Sequence, residues 1–257
     1  MNQALHISPL SLASCLSTWI GISALLISPA LAQVNGSGPS PSSDFDTVLN
    51  LPEDQFSLNE PIGGVAGETV QINVSSSGRV SSPFAGFGSE VNVDGGTLEL
   101  PFSAENGSEV NVSDGRVGFF TDDVFEAHTG SEVNISGGRI DGNIFALSGS
   151  SMNISGGDFD GSFDAFFGSL VNISGGSFGS TFGFDPRSFN AFSGSEVNIS
   201  GGIFSDGFDA NFGSMVSISG GTFGSEFLAS RGSMVSISGG NFGSDFLASQ
   251  GLSLIHI

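Results

Sequence analysis

The chain has 257 residues and a formal net charge of −21, with 26 acidic residues against five Lys and Arg. This charge excludes nucleic acid as a partner, because the protein and the phosphates would repel each other. Forty glycines, together with apolar residues spaced two apart, exclude repeats built from helices. The one cysteine, Cys15, precedes the predicted cleavage site, so the mature chain has no disulfide.

Residues 1–32 are predicted to be a secretory signal peptide. An apolar, small-residue-rich run from Leu10 to Leu31 ends in Ala30-Leu31-Ala32, a typical cleavage site. An uncleaved membrane anchor is the alternative, but Pro29 and many serines interrupt the run. The sequence therefore predicts a secreted or cell-surface protein that is cleaved after Ala32 and has no stable membrane span in the mature chain.

Two short segments separate this leader from the repeats. Residues 33–46 are rich in Gly, Pro and Ser and are predicted to be a flexible linker. Residues 47–66 contain a candidate first strand at Val48–Pro52, and we interpret them as an N-terminal cap, because the end of a stacked repeat needs covering.

Residues 67–250 are built from a repeat with a period of about 19 residues. Its most regular element is a triplet in which an apolar, a polar and an apolar residue alternate, which is typical of a strand with one buried face. The triplets begin at Val91, Val110, Val133, Met152, Val171, Val197, Val216 and Val235, with a weaker copy at Val70-Gln71-Ile72.

A Gly-Gly pair and further apolar residues follow each triplet. Glycine permits the positive φ that a tight corner requires. The next apolar residue is Leu98, Val117, Ile140, Phe159, Phe178, Phe204, Phe223 or Phe242, and the one after it is Phe102, Ile144, Phe163, Phe182, Phe208, Phe227 or Phe246. All are predicted to point inward, whereas the central Asn or Ser of the triplet points outward and forms a ladder on an exposed flat face.

One unit of this size cannot bury its apolar side chains alone, so successive units must stack. The predicted fold is all-β: a right-handed parallel β-helix of about nine 19-residue coils, with three short strands per coil. A left-handed hexapeptide helix does not fit, because 19 is not a multiple of six.

Two coils carry insertions, and these give the candidate binding residues. One insertion lies between Val117 and Phe125 and the other between Phe178 and Phe189. Both fall at the same corner of the repeat, three coils or about 14 Å apart along the axis. Insertions on one edge of a solenoid often form its binding face. The loop-edge candidates are Asp122, Asp123, Glu126, Asp185 and Arg187.

Calcium binding and polysaccharide cleavage are the alternatives to a purely structural role. Carboxylates such as Asp158, Asp160 and Asp164 would suit structural Ca²⁺, although the repeat is not the nine-residue calcium pattern. The loop-edge acids with His128 could form a pectate lyase or polygalacturonase-like site, since paired acids hydrolyse glycosides. The coils are nearly identical, however, whereas an active site requires one coil to differ. We therefore predict no catalytic, cofactor or metal residues.

Residues 251–257 depart from the repeat, which predicts that the natural protein is longer. The repeat at residues 67–250 resembles that of secreted proteins of environmental bacteria, planctomycetes in particular. More broadly it is similar to the β-helical passenger domains of adhesins and autotransporters. That resemblance implies an exported structural or adhesive rod that presents a repetitive surface to a polysaccharide or a cell-surface partner.

Overall fold

The computed structural model describes residues 47–51, 55–57, 70–76, 78–81, 84–86, 88–99, 101–118, 124–179, 189–224, 226–248 and 253–256. The predicted signal peptide (1–32) and linker (33–46) lie outside these residues. Every regular element in the described ranges is a β-strand. No helix in these ranges is long and apolar enough to cross a bilayer.

The strands form three faces, and each coil contributes to all of them. The first face carries the triplets. Its strands are β1 (Thr47–Leu51), β3 (Val70–Ser75), β6 (Glu90–Leu98), β8 (Glu109–Val117), β10 (Glu132–Ile135), β13 (Ser151–Ile154), β16 (Leu170–Ile173), β19 (Glu196–Ile199), β22 (Met215–Ile218), β25 (Met234–Ile237) and β28 (Ser253–His256). All of them pair in parallel, each with the strand of the coil before and after it.

The second face follows the Gly-Gly corner. Its strands are β2 (Gln55–Ser57), β4 (Arg79–Ser81), β11 (Arg139–Ile140), β14 (Asp158–Phe159), β17 (Ser177–Phe178), β20 (Ile203–Phe204), β23 (Thr222–Phe223) and β26 (Asn241–Phe242). Strands β6 and β8 run on through the corner with a register shift, and their last residues pair with β4 and β11. The first two faces are therefore continuous in one sheet of 19 strands.

The third face is a separate sheet with one strand per coil. Its nine strands are β5 (Phe84–Gly86), β7 (Phe102–Ala104), β9 (Val124–Ala127), β12 (Asn143–Ala146), β15 (Phe163–Ala165), β18 (Phe189–Ala191), β21 (Phe208–Ala210), β24 (Phe227–Ala229) and β27 (Phe246–Ala248). This confirms the predicted all-β solenoid with about 19 residues and three strands per coil, and the arrangement is consistent with a right-handed parallel β-helix.

Strand register corrects two details of the predicted repeat. The weaker triplet is Ile72-Asn73-Val74 rather than Val70-Gln71-Ile72, because Ile72 pairs with Val91 and both Ile72 and Val74 are buried. In the coil with the longer insertion, Phe189 rather than Phe182 occupies the inward position, between Phe163 and Phe208. Phe182 itself lies outside the described residues.

The two ends of the repeat continue the same parallel pairing. Within the predicted cap, β1 pairs with β3, so that Leu49 lies opposite Ile72. At the other end β28 pairs with β25 and places Leu254 opposite Val235, although the sequence there departs from the repeat.

The interior of the later coils is filled by two ladders of phenylalanine rings. The rings of Phe159, Phe178, Phe204, Phe223 and Phe242 stack nearly parallel, with centroids 4.5 to 4.8 Å apart. A second ladder contains Phe163, Phe189, Phe208, Phe227 and Phe246, with centroids 4.5 to 5.1 Å apart. The two ladders meet edge to face, the geometry that the aromatic quadrupole favours. The inward Phe residues are thus core, as predicted.

The two glycines of the Gly-Gly corner are required for different steric reasons. In the coil that begins at Val216, Gly221 has a φ of 97°, which other residues rarely adopt. A Cβ on Gly220 would collide with the carbonyl oxygen of Ser200 in the preceding coil. The first glycine therefore permits close stacking and the second permits the turn.

Removing one ring from the ladder should strongly destabilise the solenoid. Phe204 is 1% exposed and contacts four other rings, so we expect Phe204→Ala to lower the free energy of unfolding by about 3–5 kcal/mol. The adjacent Ile203 points outward and is 52% exposed, so Ile203→Ala should cost less than about 0.5 kcal/mol. Urea unfolding of both variants measures the difference, and equal losses would contradict the assigned register.

Candidate binding face

The central residues of the first-face strands form a continuous amide ladder. In seven consecutive coils this residue is asparagine, and each Nδ2 donates to the Oδ1 of the preceding asparagine. The six bonds, 2.9 to 3.1 Å long, join Asn73, Asn92, Asn111, Asn134, Asn153, Asn172 and Asn198. Each such bond contributes roughly 0.5–1.5 kcal/mol. The ladder holds the amides in one orientation. Four of them use Nδ2 a second time, to donate to a glutamate: Asn92, Asn111, Asn153 and Asn198. Each amide oxygen has a second lone pair with which it can accept.

A column of serines runs beside the asparagines and is more exposed. Ser174, Ser200 and Ser219 donate to carbonyl oxygens of the preceding coil across 3.4 Å, which is long for a hydroxyl donor. A different serine column is structural: Ser169, for example, is 2% exposed and donates to the carbonyl of Phe166 at 2.7 Å. The exposed serines therefore retain most of their hydrogen-bonding capacity.

The two columns line a groove of about 580 Å³ that follows the solenoid axis. It extends from Asn134 to Ser238, and in its last coils Ser217 and Ser236 replace asparagine. The asparagines are half-buried rather than fully exposed. The predicted outward ladder is confirmed, but the predicted flat surface is instead this first-face groove. It offers the same amide and hydroxyl groups once per coil.

Charge on the first face is concentrated in its earlier coils. Glu90, Glu109 and Glu132 lie directly opposite one another in adjacent strands. Nδ2 of Asn92 and of Asn111 donates to Glu90 and Glu109 respectively, at 2.7 and 3.1 Å. The residues that line the groove are uncharged, and Glu132 and Glu196 beside it accept from the amides of Asn153 and Asn198 at 3.4 and 3.3 Å. The groove therefore disfavours an anion and suits a neutral ligand rich in hydroxyl groups.

The insertions fall where the sequence predicts. Both lie between a second-face and a third-face strand, one between β8 and β9 and the other between β17 and β18. Of the loop-edge candidates, Asp122, Asp123, Asp185 and Arg187 lie outside the described residues. Glu126 is half-exposed on β9, and its Oε2 lies 3.3 Å from Nε2 of His128, which is also 3.8 Å from Glu105. Glu126 therefore belongs to a small surface cluster on the third face.

An ion-pair network stabilises the second-face corner near the shorter insertion. Asp141 is 3% exposed and accepts from Nε of both Arg116 and Arg139, and Arg139 also donates to Asp160 at 2.9 Å. The hydrogen bond to Asp141 raises the pKa of Arg139. Every buried carboxylate of this network is paired, as burial of charge requires, so its role is structural.

Two aspartates on the third face have raised pKa values. Asp164, Asn190 and Asp209 occupy the same position in consecutive coils. Burial raises the pKa of Asp164, opposed by a hydrogen bond from Asn190 at 2.7 Å, and burial followed by repulsion from Glu226 raises the pKa of Asp209. Across the described ranges, no three acidic, His or Cys side chains lie close enough together to hold a metal ion.

Several exposed apolar side chains were not predicted from the sequence. Phe167 and Phe212 are each 69% exposed, and Met215 and Met234 are 43% and 51% exposed. The first two lie at the corner between the third and first faces. The repeat could have predicted this exposure, because neither phenylalanine occupies an inward position.

Comparison with protein-family models, with curated proteins and with solved structures finds no match to this chain.

Because the pKa of Asp209 is raised, replacing its carboxylate with a neutral side chain should stabilise the protein in a pH-dependent way. The folded state binds this proton more tightly than the unfolded chain, where the pKa is about 3.9, so ionisation reduces stability as the pH rises between the two values. We expect Asp209→Asn to raise Tm at pH 7 and the gain to shrink towards pH 4. Asp245→Asn, at an exposed carboxylate, is the control in a calorimetric series. A gain that is independent of pH would contradict the assignment.

Proposed function

We propose that the protein is an exported structural or adhesive β-helix whose repetitive surface binds a polysaccharide or a cell-surface partner. The observation that carries this proposal is the first-face groove, in which stacked amides and weakly bonded hydroxyls recur once per coil. A ligand that repeats along its own length can satisfy several equivalent sites at once, and weak contacts then add up to useful affinity.

The chemistry of the groove favours a neutral polysaccharide. Amide and hydroxyl groups both donate and accept hydrogen bonds, which matches sugar hydroxyls. The net charge of −21 opposes a polyanion. An uncharged chain of sugars lying along the axis meets both conditions.

Export rests on the sequence of residues 1–32 and on a mature chain without cysteine. Expressed with its leader in a bacterial host, the protein should appear outside the cytoplasm with Gln33 as its first residue. Intact-mass measurement checks this, and recovery of full-length protein from the membrane fraction would favour the uncleaved anchor. Structural Ca²⁺ is the alternative to the predicted absence of a metal: if the ion is bound, chelation should lower Tm.

A carbohydrate-active enzyme is the second candidate, and Asp164 and Asp209 favour it. They lie two coils apart, which is about 10 Å along the axis and near the separation of the two acids in inverting glycosidases. Burial raises the pKa of both, as a general acid requires. Release of reducing ends or of uronates from pectin, abolished in Asp164→Asn, would establish this activity.

Removing exposed hydroxyls from the groove should weaken binding without unfolding the protein. We expect the triple variant Ser174→Ala, Ser200→Ala and Ser219→Ala to bind a neutral polysaccharide about tenfold more weakly. Its Tm should change little, because each lost bond is long. Affinity electrophoresis through gels containing soluble polysaccharides measures the binding.

Ser169→Ala is the matched control for the triple variant. It removes a buried hydroxyl outside the groove, so it should lower Tm and leave binding intact. Undiminished binding by the triple variant would exclude the groove as the site.

A further inference from the structure

Two exposed aromatic rings lie in one column at the corner between the third and first faces. The amide of Gly168 donates to the carbonyl of Gly194, and that of Gly194 to Gly213, which places the preceding residues in register. These residues are Phe167, Ser193 and Phe212. The two rings are therefore separated by two coils, or about 10 Å along the axis.

Each ring is held by the backbone of the next coil. A Cβ on Gly232 would lie 2.6 Å from Cδ2 and Cε2 of Phe212, and one on Gly194 would collide with Phe167 in the same way. Both glycines have positive φ, 81° and 76°. One edge of each ring thus rests on a glycine that has no side chain, while most of the ring remains open to solvent. Such a ring is supported on one edge and available for stacking.

From Phe167 to Met215, over three coils, the corner alternates between apolar and polar residues. The next coil has Arg231 and the exposed Met234 at these positions and does not continue the alternation. Phe167 shares its coil with Leu170, and Phe212 shares its coil with the exposed Met215. The coil between them has the exposed Ser193 and Glu196 at the same two positions. A protein partner or a lipid surface would favour a continuous apolar stripe. Alternation instead suits a ligand whose own apolar and polar surfaces alternate with the same two-coil period.

We propose that this corner, defined by Phe167, Ser193 and Phe212, binds a neutral β-1,4-linked polysaccharide that runs along the solenoid axis. The C–H face of a pyranose ring stacks on an aromatic face. Successive rings of such a chain are turned over, so the same face recurs at every second sugar and can meet Phe167 and then Phe212. The intervening sugar presents its hydroxyls to Ser193 and Glu196. This inference rests on the proposed function and names its ligand and its aromatic contacts.

The test uses the double variant Phe167→Ser and Phe212→Ser. Serine already occupies this position at Ser148 and Ser193, so the fold should tolerate it and Tm should stay unchanged. The control is Ile203→Thr, which removes an exposed apolar side chain from the second face, where Thr222 is its neighbour in register. Each protein is run through native gels containing hydroxyethylcellulose, or dextran as an α-linked comparison.

We expect hydroxyethylcellulose, but not dextran, to retard the wild type and the Ile203→Thr variant. The double variant should bind about tenfold more weakly. Equal retardation of the double variant and the wild type would overturn this inference and leave the proposed function standing. If neither polymer retards the wild type, this inference is wrong, whereas the proposed function still allows a cell-surface partner. If the wild type instead dimerises in light scattering and the double variant does not, the corner is an interface between copies and the inference is wrong.

Discussion

The spacing between parallel strands governs this molecule. Neighbouring strands lie about 4.8 Å apart, so every residue is stacked on its counterpart in the next coil at nearly that distance. Flat rings tolerate this distance well, and the Phe204 and Phe223 rings have centroids 4.8 Å apart. Amides tolerate it too, because Asn172 reaches Asn153 with a 3.0 Å bond. Two carboxylates at that distance repel, and Arg116 and Arg139 offset this repulsion where Asp141 lies next to Asp160.

The same constraint separates the structural side chains from those that can bind. Inward positions are filled by Val, Ile, Phe and Ala, with Leu98 and Met152 as the exceptions, and they repeat because the dry interior accepts few alternatives. Outward positions vary from coil to coil, as in the third-face sequence Glu126, Phe145, Asp164, Asn190 and Asp209. These variable outward side chains, held on a rigid repeating backbone, can give the surface its ligand specificity. The first-face groove supplies uniform polar contacts, and the corner of Phe167 and Phe212 supplies an alternating apolar one.

Glycine makes this close stacking possible. At the Gly-Gly corner the backbone of one coil touches the carbonyl of the coil before it, so any side chain at Gly220 would force the coils apart. At the third corner Gly194 and Gly232 create the space in which the aromatic rings rest. The abundance of glycine thus has a steric origin, and it positions candidate binding groups as well as turns.

The amino-acid sequence alone determined the architecture, because a 19-residue alternation of apolar side chains and glycine corners has few ways to bury its apolar surface. It also determined the inward ladders and the common corner of both insertions, since these follow from counting within the repeat. Only the tertiary structure decided the register where spacing was irregular, as at Ile72 and Phe189, because burial and strand pairing select among nearby apolar residues. It alone decided that the asparagines line a groove, that Asp164 and Asp209 are desolvated, and that Phe167 and Phe212 stand in one column. Those properties depend on how side chains of different coils lie against one another, and no single repeat contains that information.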